Sequence, residues 1–262
     1  MRRIIASLST MVLLVFVVPA FAHFGMVIPS KPVVEEQKDA GIELTLRFWH
    51  PFENVGMELE TPTAVTMLHD GATVDLTKSL VAVKERGHTV QTLFRKLDKP
   101  GLYTFVMRPA PYFEPAEDCF IVHYTKVMIP AFGLDVGWDE PVGLPVEIVP
   151  LSKPFGLYAG NVFQGRVLEN GKPVPGAEVE VEFYPGPGLK GEAPNDFLTT
   201  QTVKADDAGI FTYAMPKAGW WGFAALREGP EKLTHAGKDK AVEIGGVIWV
   251  HAEEFPAMKP VE

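Results

Sequence analysis

The sequence predicts an all-β protein made of two β-sandwich, immunoglobulin-like domains that follow a cleaved signal peptide. Short segments that alternate apolar and polar residues recur along the chain, which is the period of half-buried strands. Turn residues separate these segments, because 23 prolines and 24 glycines are spread over 262 residues. No long stretch shows the 3.6-residue period of an amphipathic helix. Short strands between such turns are typical of a β-sandwich.

The first 22 residues have the pattern of a secretory signal peptide. Arg2 and Arg3 precede a mostly apolar run over residues 4–18, and the small residues that end at Ala22 fit a cleavage site. The run is short for a membrane span, which needs about 20 apolar residues. We therefore expect export to the periplasm with cleavage after Ala22, so that His23 becomes the first residue. The alternative is an uncleaved N-terminal anchor, in which His23 has no free amine.

Charge and cysteine content exclude several classes of function. Cleavage would remove Arg2 and Arg3 and no acidic residue, so the net charge of −9 would become −11. An acidic chain is a poor partner for nucleic acid or anionic lipid. Cys119 is the only cysteine, which excludes an internal disulfide and a thiolate metal cluster.

The first predicted domain covers residues 23–140 and contains the clearest strands. Residues 42–48 alternate apolar and polar side chains, and residues 89–94 and 101–106 flank a Pro-Gly turn. Residues 119–128 are rich in β-branched and aromatic side chains, as strands usually are. These segments predict one sandwich.

The second predicted domain covers residues 141–255 and is followed by a tail, residues 256–262. A connector of low hydrophobicity with several glycines and prolines, residues 133–145, favours a boundary near residue 140. Asn170-Gly171 predicts a tight hairpin turn, because both residues accept positive φ. The alternating valines after this turn are typical of an immunoglobulin-like module.

His23 would be an unusual metal ligand if it begins the mature chain. Its α-amine and its imidazole Nδ1 belong to one residue and can close a chelate ring on a single ion. The unperturbed pKa is about 8 for the amine and about 6.5 for the imidazole, so both can lose a proton near neutral pH, and a metal ion favours that loss. We expect the rest of the chain to be a scaffold that supplies further ligands.

Three further histidines, His50, His123 and His88, are candidate metal ligands. His50 lies where a predicted strand stops at Pro51, which gives a ligand a rigid mount. His123 lies on a predicted strand among apolar neighbours, and His88 follows a turn that enters a strand. Each could instead be an ordinary packing residue.

Several other side chains near these histidines could join the site or orient its imidazoles. They are Glu53, Met57, Glu114, Glu117 and Asp118. Taken singly, each carboxylate is equally consistent with a solvated acidic loop.

The remaining histidines, His69, His235 and His251, are predicted to lie in a hairpin turn or at the surface. The chain has no Gly-x-Ser-x-Gly motif, no convincing nucleophile set and no glycine-rich phosphate loop, so we expect no enzyme activity. Imidazoles without thiolates favour nickel, copper, cobalt or zinc.

Motifs spread over nearly the whole mature chain match one known family. They are the opening segment 22–30 (AHFGMVIPS), the loop 50–58, the segments 112–126, 137–141 and 158–175, and the closing GWWGFA of residues 219–224. With these motifs the chain resembles periplasmic components of ABC-type cobalt/nickel transport systems, also described as nickel-uptake proteins with a domain of formerly unknown function.

The resemblance implies a periplasmic protein that binds Ni²⁺ or Co²⁺ and supplies it to a membrane permease of the energy-coupling type. His23, His50 and His123 are carried over as ligands because they lie in matching motifs. His88 is added from the histidines of the first half alone.

Three alternatives stay open at this stage. The first is a periplasmic copper-binding carrier. The second is a copper-dependent oxygenase with an N-terminal histidine brace. The third is a structural β protein with scattered histidines, which would bind no metal more tightly than about millimolar, an affinity worth only about 4 kcal/mol.

Overall fold

The fold is described by a computed structural model that covers residues 23–260. The predicted signal peptide, residues 1–22, lies outside the described residues. Within the described part of the chain, 21 strands are joined by turns and by three single-turn 3₁₀ helices, Gln37–Asp39, Thr77–Ser79 and Asp196–Leu198. The prediction of an all-β sandwich fold is confirmed.

The strands are numbered in chain order. They are β1 (Phe24–Pro29), β2 (Gly41–His50), β3 (Val55–Met57), β4 (Ala64–His69), β5 (Ala72–Asp75), β6 (Val81–Glu85), β7 (His88–Lys96), β8 (Gly101–Arg108), β9 (Tyr112–Glu114), β10 (Cys119–Ala131), β11 (Val146–Pro150), β12 (Leu157–Tyr158), β13 (Val162–Glu169), β14 (Lys172–Pro173), β15 (Glu178–Tyr184), β16 (Gln201–Lys204), β17 (Ile210–Ala214), β18 (Gly219–Glu228), β19 (Leu233–His235), β20 (Lys238–Lys240) and β21 (Val242–Glu253).

Three sheets make up the body of the protein. The N-terminal sheet has the order β1-β2-β7-β6, with β3 also paired to β2. The long sheet has the order β16-β15-β18-β21-β10-β8-β4-β5, with β9 beside β10 and β12 beside β21. The C-terminal sheet has the order β11-β13-β14, with β17 beside β13, and β19 pairs with β20 as a separate hairpin.

The long sheet runs through both halves of the chain. The joint is the parallel pairing of β10 with β21, in which Phe120 lies opposite Val242 and Val127 lies opposite Trp249. Parallel neighbours need a long connection between them, and here that connection is the whole second half of the chain up to β21. The two halves are therefore hydrogen-bonded into one sheet.

Two large hydrophobic cores lie on this framework, beside a small cluster of Leu102, Met128 and Phe155. One is formed almost entirely by residues 24–131 and extends onto the long sheet through Tyr184, Ala224, Val247 and Trp249. The other is formed by residues 146–252. The predicted boundary near residue 140 lies in the segment between β10 and β11, and the independence of the two halves stays a prediction.

Strand β10 presents a polar side chain to each half. Gly25 of β1 lies over Thr125 and His123, so these two side chains face the first half. Lys126 points to the other side and forms an ion pair with Glu147 of β11. This division follows from the alternation of side chains along a strand. Among residues 23–260, no helix is long and apolar enough to cross a membrane.

Candidate metal centre

The antiparallel pairing of β1 with β2 brings His23 next to His50. Phe24 lies opposite Trp49, so His23, one residue earlier, reaches the level of His50. Side chains alternate along a strand, which puts His50 and Phe48 on the same face of β2. The ring centroids of His23 and His50 are 4.5 Å apart. Two histidines separated by 26 intervening residues therefore share one end of the first core.

Phe48 connects this pair to His123. Its ring stacks on His23 with centroids 5.5 Å apart, and it meets the His123 ring edge-on at 5.8 Å. The imidazoles of His23 and His123 thus lie against one phenyl ring between the N-terminal sheet and strand β10, and His50 joins them through its contact with His23. His23 is 8% exposed and His123 is 1% exposed, so both rings are shielded from bulk water.

Glu114 of β9 holds the imidazole of His23. The His23 Nε2 and Glu114 Oε2 atoms are 3.0 Å apart, and the other carboxylate oxygen accepts the backbone N–H of Ala116 at 2.8 Å. Burial lowers the pKa of His23 below its ordinary value, against the opposing effect of the Glu114 charge. A neutral imidazole keeps a lone pair on one nitrogen, which is the form that binds metals.

His123 lies between two glycines and a carboxylate. Its Nε2 is 3.3 Å from Glu243 Oε1. A Cβ on Gly245 would lie 2.5 Å from its Cδ2 atom, so the ring fits because this position is glycine, and a Cβ on Gly25 would lie 3.1 Å from the Cβ of His123. Within the described part of the chain, its buried Nδ1 has no hydrogen-bond partner.

Glu243 is the residue that the sequence analysis missed. Burial alone would raise the pKa of Glu243, but the hydrogen bond from His123 and the charges of His123 and His23 lower it below the ordinary value. In the parallel pairing Glu243 lies opposite Ile121, on the same face as His123. No local signal in the sequence indicates this neighbour, because 119 residues separate the two partners.

His88 is not brought to the other three histidines. A Cβ on Gly56 would lie 3.0 Å from His88 Cδ2 and 2.6 Å from Trp49 Nε1, so the His88 ring packs beside Trp49. Alternation along β2 puts Trp49 on the face opposite His50. The role of His88 as a ligand stays a prediction that this arrangement does not favour.

The other candidates take different places. Met57 is buried opposite Phe48, Glu117 is exposed and 3.8 Å from the thiol of Cys119, and Asp118 pairs with Lys240. Burial and the nearby carboxylates raise the pKa of the Cys119 thiol to about 11, so it stays protonated at neutral pH. Glu114, in contrast, contacts the imidazole of His23.

The other histidines lie apart from this cluster in other settings. His69 ends β4 and stacks on Tyr103, with centroids 3.8 Å apart. His235 stacks on Phe113 at 3.7 Å, and His251 lies 3.1 Å from Glu253. Each of these rings has a packing or hydrogen-bonding role of its own.

The loop after His50 is held by the second half of the chain. The N–H of Phe52 donates to Glu182 at 3.2 Å, the N–H of Gly191 donates to the carbonyl of Phe52 at 2.6 Å, and the Asn54 side chain donates to the carbonyl of Gly186 at 2.9 Å. Burial raises the pKa of Glu182 to about 8, although its hydrogen bonds from Thr200 and Phe52 oppose that shift.

Little empty space lies beside the imidazoles. A cavity of about 10 Å³ is lined by Gly25, Phe48, Tyr112, Ile121 and His123 among others, which is room for one water-sized particle. Within residues 23–260, no three His, Cys, Asp or Glu side chains stand in the arrangement of a preformed metal site.

Solved structures give only remote likenesses. The D0-D1 domain of intimin is 14% identical, with 83% of this chain and 95% of that chain covered and a TM-score of 0.23. Trypsin-activated alpha-2-macroglobulin from Escherichia coli is 10% identical, with 88% and 16% covered and a TM-score of 0.24. A putative carbohydrate binding protein from Bacteroides uniformis is 12% identical, with 84% and 96% covered and a TM-score of 0.22. These TM-scores are too low to support any argument.

Sequence comparison is more decisive. No curated protein matches the chain. One family profile, described as "Domain of unknown function (DUF4198)", matches residues 20–229. The match covers most of the chain and includes His23, His50, Glu114 and His123. The chain belongs to the DUF4198 family.

Proposed function

We propose that this protein is an exported binding protein that captures a divalent transition-metal ion, Ni²⁺ or Co²⁺, in the periplasm. The α-amine and Nδ1 of His23 form a chelate on the ion, and His50 and His123 supply further nitrogens. The bound ion is cargo, which the protein delivers to a membrane metal permease of the energy-coupling type.

The observation that carries the proposal is the proximity of three histidines from distant segments, in which His23 contacts His50 and the Phe48 ring contacts both His23 and His123. The His23 and His50 ring centroids are 4.5 Å apart, and the Phe48 centroid lies 5.5 Å from that of His23 and 5.8 Å from that of His123. Imidazole is the commonest protein ligand of transition metals, so this proximity supports a metal-binding role.

The donor set suits borderline metal ions. Imidazole and amine nitrogens favour nickel, copper, cobalt and zinc over magnesium or calcium. The α-amine of His23 exists only after cleavage at Ala22, so the three imidazoles need that cleavage to complete the proposed set of four nitrogens. A small movement of the side chains on binding would then bring the nitrogens to one ion.

The cargo and the permease rest on the resemblance to periplasmic cobalt/nickel transport components. The acidic balance of the chain, with net charge −9, is consistent with attraction of cations. Copper binds most nitrogen sites more tightly than nickel does, so affinity alone does not identify the physiological cargo.

A titration of the mature protein tests the proposal. The protein is prepared with His23 as its first residue and titrated with Ni²⁺, Co²⁺, Cu²⁺ and Zn²⁺ by calorimetry. The same titration is made on a form with one extra glycine ahead of His23. We expect at least tenfold weaker binding for the extended form, because the α-amine becomes an amide.

Two matched variants sharpen this test. His50→Gln removes a ring from the cluster, whereas His69→Gln removes a ring that stacks on Tyr103 elsewhere. We expect His50→Gln to weaken binding and His69→Gln to leave it unchanged. Equal affinity of the native and extended proteins would refute the chelate at His23.

A further inference from the structure

We propose that Glu114 and Glu243 are positioning residues that fix the tautomers of His23 and His123, so that each ring offers Nδ1 to the ion. The proposal rests on the metal-binding function above. It assigns a role to two carboxylates, one of which lies in the second half of the chain.

The argument for His23 begins with the chelate itself. The α-amine and Nδ1 of one histidine close a six-membered ring with a metal ion, whereas Nε2 lies on the far side of the imidazole. Glu114 Oε2 lies 3.0 Å from that Nε2. An ionised carboxylate only accepts hydrogen bonds, so a neutral ring must carry its proton on Nε2. The lone pair then lies on Nδ1, beside the amine.

The same pattern recurs at His123. Glu243 Oε1 lies 3.3 Å from Nε2, and the Cδ2–Nε2 edge of the ring rests against Gly245. Nδ1 is on the opposite edge of the ring, away from Gly245. Within residues 23–260 this Nδ1 is buried without a hydrogen-bond partner.

A buried nitrogen without a partner has an energetic consequence. Leaving a buried polar atom unsatisfied destabilises the fold. A ligand that accepts the Nδ1 lone pair removes this cost, so the metal-free site favours capture of an ion. Carboxylate acceptors on the remote nitrogen of metal-bound histidines usually orient the ring and raise its basicity.

Nitrogen NMR of the metal-free mature protein tests the tautomers directly. The ¹⁵N chemical shifts of an imidazole distinguish a protonated from an unprotonated nitrogen. The signals are assigned with His23→Gln and His123→Gln. We expect Nε2–H and unprotonated Nδ1 for both rings. His123 with its proton on Nδ1 would overturn the proposal.

Crossed substitutions test the two carboxylates. Glu243→Leu should remove the tautomer preference of His123 and leave His23 unchanged, and Glu114→Leu should do the reverse. Each should weaken Ni²⁺ binding about 10–100-fold. If one variant fails to fold, the other still gives the answer.

Glu117→Leu is the matched control, because Glu117 carries the same charge nearby but bonds to Cys119 rather than to an imidazole. We expect unchanged tautomers and a loss of affinity well below that of Glu243→Leu. An equal loss would show that charge alone matters, and it would overturn the positioning role.

The outcome for the positioning role is separable from that for the proposed function. An unmutated protein that binds no ion contradicts the function, while its NMR spectrum still decides the tautomers. A protein that binds Ni²⁺ with His123 protonated on Nδ1 keeps the function and refutes the positioning role.

Discussion

Two buried polar pairs on strand β10 differ in how completely they are satisfied. His123 and Lys126 are each 1% exposed, lie three residues apart and point to opposite faces. Lys126 donates to Glu147 at 2.5 Å, and His123 lies 3.3 Å from Glu243. One pair faces the second half of the chain, and the other faces the histidine cluster.

We call the Lys126–Glu147 pair the closed pair, because Glu147 has its hydrogen bonds satisfied within the fold. Glu147 also accepts the backbone N–H groups of Val142, Gly143 and Leu144, at 2.8, 3.0 and 3.2 Å, and its side chain is 2% exposed. These bonds tie the connector between β10 and β11 to the long sheet. Every strong acceptor position of the carboxylate is in use, which is how a buried ion pair is made tolerable.

We call the His123–Glu243 pair the open pair, because one ring nitrogen has no partner and the carboxylate is partly exposed. The side chain of Glu243 is 31% exposed, and Nδ1 of His123 has no partner in the described part of the chain. A protein that needed only stability would satisfy both nitrogens. The Lys126 pair is therefore fully satisfied within the fold, whereas the His123 pair leaves one ring nitrogen without a partner, as the proposed metal site requires.

The substitution with the largest expected effect on stability breaks the closed pair. Glu147→Leu leaves Lys126 buried and unpaired, which should lower the free energy of unfolding by about 3–5 kcal/mol. Denaturant unfolding at pH 7 measures it. Glu243→Leu, at the open pair, should cost less, about 1–3 kcal/mol, because it leaves only the buried Nε2 of a neutral His123 ring without an acceptor. Similar costs for the two variants would remove the contrast.

Glu182 extends the comparison to a third carboxyl group, which is buried. Unlike Glu147, it has no cation among the groups that shift its pKa. Its pKa is about 8 in the fold and about 4.3 in the unfolded chain, so the folded state binds more protons between these values. The contribution of Glu182 to the free energy of unfolding is therefore fully present below about pH 4.3 and is lost as the pH rises towards 8. The loss should be on the order of 5 kcal/mol in total.

Glu182→Gln should abolish most of this pH dependence and stabilise the protein at pH 8. The glutamine amide can still accept from the N–H of Phe52 and donate to the Thr200 hydroxyl. Denaturant unfolding at pH 5 and pH 8 gives the two free energies. Glu178→Gln, an exposed change on the same strand, is the control and should alter neither. A pH profile of Glu182→Gln identical to that of the unmutated protein contradicts the assignment.

Substitutions of two adjacent glycines on β21 distinguish an effect on packing from an effect on metal binding. Gly245→Ala pushes a methyl group against His123, and Gly246→Ala pushes one against the backbone of Val146 and Glu147. Each should cost about 1–3 kcal/mol of stability through overpacking. Only Gly245→Ala should also weaken Ni²⁺ binding, measured by calorimetry. Loss of binding in both variants would mean that the site fails with general destabilisation.

The smallest expected effect concerns His88. Its ring packs beside Trp49 and not with the cluster, so His88→Gln should leave Ni²⁺ affinity unchanged within error. His50→Gln, treated identically, should lower it. A loss of affinity in His88→Gln equal to that in His50→Gln would restore His88 as a ligand.

The sequence by itself determined the local structure. Alternation over residues 42–48 predicts a strand, which is observed as β2, because one face of it must be buried. Asn170 and Gly171 have φ values of 50° and 77°, as their hairpin turn requires. The candidates His23, His50 and His123 could also be named, since each lies at an interpretable place along the chain.

Only the tertiary structure decided which strands become neighbours. The parallel pairing of β10 with β21 joins the two halves in one sheet and brings Glu243 to His123. Likewise, the packing of His88 beside Trp49 is invisible in its local sequence. The physical reason is that a strand's own residues fix its period and its buried face. Its partners depend on packing between segments far apart in the chain, which no local pattern records.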